Sequence, residues 1–116
     1  MIKKKNDTKR ILTNQILQGL KNIKNIKNII FAYEPVWSIG TGIIPVNSEL
    51  IKNILFVKKL LKIKFNSKNT KILYGGSVNP KNISELSKIN EIDGFLIGGA
   101  SQNVNKFIDI IKKTYN

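Results

Sequence analysis

The chain has 116 residues, 41% of them hydrophobic, and 20 Lys and Arg against 7 Asp and Glu give it a formal charge of +13; it contains neither Cys nor His. This length allows one domain with a modest core. The lack of Cys excludes disulfides, a thiolate nucleophile and cysteine-based metal sites, and the lack of His excludes imidazole as acid, base, electrophile or ligand. The positive charge sits on lysines scattered between apolar residues, with Arg10 the single arginine, so solvated faces are expected rather than base readout, and nucleic acid is not an expected partner.

From the amino end, Met1-Ile2-Lys3-Lys4-Lys5 starts like a signal peptide, but Asn6-Asp7-Thr8-Lys9-Arg10 is polar and leaves no apolar region to insert. No apolar run approaches the roughly 20 residues of a membrane helix. No membrane is therefore expected as a partner, and the expected location is cytoplasmic. Residues 1–7 read as a disordered lead-in. Residues 8–24 read as a helix: Ile11, Leu12, Ile16, Leu20 and Ile23 recur every three or four positions, Asp7 or Thr8 caps the start, and Gly19 weakens it slightly. Ile29-Ile30-Phe31-Ala32 is a continuous apolar run, suited to a strand buried on both faces. A second helix is expected over 48–62, with a broad stripe of Leu50, Ile51, Ile54, Leu55, Val57 and Leu61. Lys71-Ile72-Leu73-Tyr74 is a second strand, which Gly75-Gly76-Ser77 ends. Asn79-Pro80 has the form of a cap and a first-turn proline before a short helix, 81–88, with Ile83 and Leu86 inward. Gly94-Phe95-Leu96-Ile97 is the third strand and Gly98-Gly99-Ala100-Ser101 ends it. Asn103 caps a last helix, 104–113, whose inner face is expected to carry Val104, Phe107, Ile108 and Ile111.

The order α-β-α-β-α-β-α with short links implies an α/β fold with three parallel strands and four helices. Glycine follows each strand. At the carboxyl end of a parallel strand it lets a ligand approach the backbone, and free amides in such a turn favour an anion. After the first strand stands Glu34, held to extended backbone angles by Pro35 and followed by a loop with Trp37, Gly40 and Gly42. A carboxylate at a strand end, opening onto a crevice, is a candidate for acid–base chemistry. Three strands leave two edges and an inner face without cover, which marks the chain as part of something larger.

The run Ala32-Tyr33-Glu34-Pro35-Val36-Trp37-Ser38-Ile39-Gly40-Thr41-Gly42 closely resembles the catalytic segment of triose-phosphate isomerases. Tyr74-Gly75-Gly76-Ser77-Val78 and Asp93-Gly94-Phe95-Leu96-Ile97-Gly98-Gly99-Ala100-Ser101 resemble the family's next two signatures, in the same order. The resemblance implies the carboxyl-terminal part of a (β/α)8 TIM barrel over 1–116, a partial barrel holding strands six to eight. It implies interconversion of glyceraldehyde 3-phosphate and dihydroxyacetone phosphate, a step of glycolysis and gluconeogenesis, through an enediolate with Glu34 as base. The substrate is a triose phosphate and no metal or organic cofactor is implied. The Gly40 amide, Ser77, and the Gly98 and Gly99 amides correspond to the family's phosphate grip. Ser38 to Gly42, including Thr41, correspond to a mobile lid. Its hinges are Pro35-Val36-Trp37 and Ile43-Ile44-Pro45. Tyr74 corresponds to the residue holding the closed lid, and Ile39 and Leu96 to apolar groups that press on the base, strip water from it and strengthen it.

The family pattern also needs a His electrophile and a substrate Lys from earlier strands, and this chain has neither. Loss of one donor to the enediolate costs about 3 kcal/mol or more. Smaller departures are Ser38, where Ala is usual, and Ile54, where a His is often found. The chain is therefore expected to be inactive alone, a truncated or split gene product whose adenine-rich start at Lys3-Lys4-Lys5-Asn6 favours frame slippage. A homodimer is expected for the complete enzyme. The alternative is a non-catalytic half-barrel that keeps a phosphate grip.

Overall fold

The structure, a computed structural model, describes residues 5–34 and 47–115. Its elements are α1 (Lys5–Gly19), β1 (Ile30–Tyr33), α2 (Asn47–Phe65), β2 (Lys71–Gly75), α3 (Ile83–Leu86), β3 (Gly94–Leu96), a 3-10 turn (Gly99–Gln102) and α4 (Val104–Thr114). The strands form one parallel sheet in the order β1-β2-β3, so α2 and α3 are the crossovers between neighbouring strands. This is the expected α/β partial barrel of three parallel strands and four helices.

Element boundaries differ from those read off the sequence, for local reasons. Helix α1 begins at Lys5, three residues before the expected start, so that Asp7 and Thr8 lie within the helix instead of capping it, and it stops at Gly19, five residues short of the expected end. Gly19 thus closes the helix instead of weakening its middle. The turn that follows is held by Leu20 N to Ile16 O and Ile23 N to Leu20 O, and Asn22 takes the left-handed backbone (φ 68°) that asparagine tolerates better than most side chains. Helix α2 runs on to Phe65. Glu49 in its first turn and Lys62 and Lys64 in its last complement the helix dipole, and Asn66 (φ 53°) provides the left-handed stop. Its buried stripe is Leu50, Ile54, Val57 and Leu61, one residue per turn, and Leu55 falls outside it, exposed. Helix α3 is only one turn long.

The sheet has one covered face. Phe31 and Tyr33 of β1 lie beside Ile72 and Tyr74 of β2 and point to the helices, where Ile72, Tyr74, Leu50, Ile54, Leu61, Ile83 and Leu86 form the fully buried centre of the core. Ile30, Ala32 and Leu96 alternate to the other face and are exposed. The expectation that β1 is buried on both faces is therefore not met: Ile30 is 65% exposed, because all the packing layers lie on one side.

Helix α4 corrects a second expectation. It packs against α3 and the 3-10 turn, and of its apolar residues Ile110 is buried in the core while Phe107 is half-buried. Val104, Ile108 and Ile111, expected to face inward, form an exposed stripe with Tyr115, with Val104 71% and Tyr115 85% exposed. Spacing predicted an apolar stripe correctly. Which way it faces depends on neighbours, and α4 lies at the outer edge, beyond β3.

The amino end of the sheet is clamped. Ile72 N donates to Asp93 Oδ2 (2.8 Å) while Asp93 N donates to Ile72 O (2.9 Å). Lys58 of α2 reaches the same carboxylate at 3.0 Å and also donates to Glu91 O. Burial pushes the Asp93 carboxyl up, but the Ile72 amide and Lys58 outweigh it and hold it below its ordinary value. Among the described residues no helix is long and apolar enough to cross a membrane.

Candidate functional site

All three strands run the same way, so their following turns gather at one rim of the sheet, opposite the Asp93 clamp. Glu34 is the first residue after β1. Continuing the register Tyr33↔Tyr74 places it beside Gly75, which is itself level with Leu96. Glu34, Gly75 and Leu96 thus make one row across the bare face, one residue per strand.

Gly75 is the seat of Glu34. A Cβ built on Gly75 would come within 2.7 Å of Glu34 Cγ, 3.2 Å of its Cδ and 3.3 Å of Oε1. The carboxylate therefore lies over the backbone of the neighbouring strand, in space that any other residue at 75 would fill. Its place after a strand marks this glycine only as a general opening for ligands. Its steric role toward Glu34 shows only when the register is known. Leu96 stands at the far end of the row, half exposed, and Glu34 itself is exposed. The described residues alone do not enclose it.

Gly98 and Gly99 are different. Cβ atoms built there meet nothing within 4 Å, so no packing inside the described chain demands glycine at either position. The turn is shaped by Ser101, whose backbone N (2.9 Å) and Oγ (2.6 Å) both donate to Gly98 O. Ser77 and Gly99 line the same cavity of about 490 Å³, so two of the predicted phosphate positions come together. Of the remaining predicted residues, Tyr74 is fully buried on the helix side. Pro35, Val36, Trp37, Ser38, Ile39, Gly40, Thr41 and Gly42, and the expected hinge at Ile43-Ile44-Pro45, lie outside the described residues.

Two supporting groups, Asn82 and Asn53, have no signature in the sequence. Asn82 Nδ2 donates to Ser77 O (2.6 Å), and its Oδ1 accepts from Asn79 N (2.9 Å), which pins the turn after β2 from the far side. Asn79 Oδ1 in turn accepts from Lys81 N (2.8 Å) and Asn82 N (3.0 Å), the capping role its place before Pro80 predicts. Beneath Glu34, the Tyr33 hydroxyl accepts from Asn53 Nδ2 of α2 at 3.1 Å. Burial pushes this phenol's pKa up, and the Asn53 bond offsets part of the rise. An asparagine in an asparagine-rich chain carries no signal of its own, so neither role is visible in the sequence. No group of three or more carboxylates that could hold a metal ion occurs among the described residues.

Comparison with known proteins gives a consistent picture. The triosephosphate isomerase family model matches residues 2–114. A triosephosphate isomerase of Mycoplasma mobile is 46% identical over 107 residues, covering 92% of this chain and 42% of the relative. Those of Thermodesulfovibrio yellowstonii and Dictyostelium discoideum are 39% and 42% identical, with 92% and 95% of this chain and 44% of each relative covered. The chain spans less than half the length of the curated relatives it matches.

Proposed function

We propose a function from one premise, that the chain belongs to the triosephosphate isomerase family: it supplies the base and part of the phosphate site for interconverting glyceraldehyde 3-phosphate and dihydroxyacetone phosphate. The observation that carries this is the placement of Glu34. Its carboxylate lies over Gly75 at the rim where Ser77, Gly98 and Gly99 also stand. A carboxylate there takes a proton from one substrate carbon and returns it to the next, while the phosphate rests on backbone amides of the glycine turns. Open space above Gly98 and Gly99 supports that approach. Leu96, at the end of the Glu34 row, supports a role in drying the base once a lid covers it.

The chain contains no His, so an electrophile for the enediolate oxygen has to come from elsewhere. Turnover therefore requires the part of the family fold that precedes strand six. A homodimer of the complete enzyme and a cytoplasmic location are carried over from the family. The test is isomerisation of glyceraldehyde 3-phosphate by the purified chain, alone and mixed with a separately expressed chain carrying the remaining part of the Mycoplasma mobile relative. No turnover alone and turnover in the mixture is the expected pair of results. Robust turnover by the chain alone would overturn the need for a second part. Binding of a triose-phosphate analogue, with no turnover even in the mixture, would favour a phosphate-binding half-barrel without catalysis.

A further inference from the structure

The cavity of about 490 Å³ that Ser77 and Gly99 share is larger than one phosphate needs and falls in the range of small-molecule sites. It extends away from the glycine turns between the starts of α3 and α4, where Pro80, Lys81, Asn103 and Lys106 form its walls. No Asp or Glu lines it. Lys81 and Lys106 come from two separate elements, and neither ammonium group has a hydrogen-bond or ion-pair partner among the described residues. Lys58, Lys88 and Lys113, by contrast, are each paired with a carboxylate.

Both lysines stand on pinned backbone. Asn79 Oδ1 accepts from Lys81 N (2.8 Å), and Lys113 Nζ donates to Pro80 O (3.0 Å), tying this turn to α4. Asn103 Oδ1 accepts from Lys106 N (3.1 Å) as the helix cap. The stems are flexible, but their origins are fixed on two walls of one cavity. Both side chains are exposed, and what sets them apart is that two cations without a carboxylate partner line one cavity, so that an anion there meets both, where a lone surface lysine offers one.

We propose that Lys81 and Lys106 form an outer anion subsite, which takes the second phosphate of a small ligand carrying two. The inference rests on the preceding reading in one respect: the first phosphate is placed on the glycine turns. Such ligands would compete with a triose phosphate, because both use those turns.

The test uses the full 116-residue chain at low ionic strength, titrated calorimetrically with inorganic phosphate and with pyrophosphate. Three proteins are compared: the unmodified chain, K81Q/K106Q, and K52Q/K59Q, which removes the same charge from exposed positions on α2. Circular dichroism confirms that the variants keep their fold. Pyrophosphate is expected to bind about five- to tenfold more tightly than phosphate, with the preference falling to within about twofold in K81Q/K106Q and surviving in K52Q/K59Q. An unchanged preference in K81Q/K106Q, or an equal loss in both variants, would overturn the subsite. Pyrophosphate binding that vanishes only in K81Q/K106Q, with no phosphate binding to any of the three, would keep the subsite and sink the glycine-turn reading. Binding of neither anion would sink both.

Discussion

On the helix-facing side of the sheet Ile72 and Tyr74 are almost completely buried, whereas on the bare side Ile30 and Leu96 are 65% and 46% exposed, although the same three strands carry them all. The covered face holds the chain together by burying aliphatic and aromatic side chains against α2 and α3. The bare face holds Glu34 and its glycine seat and contributes little to cohesion. Residues that fold this chain and residues proposed to do its chemistry are thus separated by the thickness of one sheet. A sequence change can damage either without touching the other.

Substitution at Ile72 and Ile30 is the most direct way to break that contrast. Ile72→Ala should cost about 2–5 kcal/mol in urea unfolding, while Ile30→Ala should stay within about 0.5 kcal/mol. Comparable losses at both positions would mean that the bare face is not bare in solution. Gly75→Ala should sharpen it from the other side. The new methyl group displaces the flexible Glu34 side chain without opening the core. Turnover in the mixture with the remaining part of the fold should drop about 100-fold, with the urea midpoint nearly unchanged. Full activity in a stable G75A protein would remove Gly75 as the seat of the base.

The smallest expected effect concerns the clamp. The Asp93 carboxyl titrates below its ordinary 3.8, so the folded state favours the ionised form. Its contribution is fully present above about pH 4 and is lost as pH falls through the lowered value. Asp93→Asn should therefore flatten the acid limb of a stability–pH curve measured from about pH 6 to about pH 2. An acid limb as steep as that of the unmodified chain would assign the slope to other carboxylates.

Much of the fold was legible because it is local. Ile54, Val57 and Leu61 sit where helical spacing puts them, and Asn79 and Asn103 cap as their positions before Pro80 and Val104 predict. What was not legible is relational. Spacing marked Val104, Ile108 and Ile111 as one apolar stripe but could not tell that it faces outward. Composition marked Gly75 and Gly98 alike, yet the register makes the first a seat for a neighbouring side chain and leaves the second with open space. At the candidate site, sequence named Glu34, Ser77, Gly98, Gly99 and Leu96 among the described residues. The row through Leu96 and the Asn82 brace under Ser77 required the three-dimensional pairing.

The Asp93 clamp joins α2, β2 and the start of β3 at the rim farthest from Glu34. That distance makes the two ends of the molecule separately editable. A variant library confined to the amino rim can be screened for thermal tolerance alone, and one confined to the turns after the strands for ligand preference alone. Gains from the two screens should then combine with little interference, since about three strand residues, roughly 10 Å, separate Ile72 of the clamp from Gly75 at the other rim.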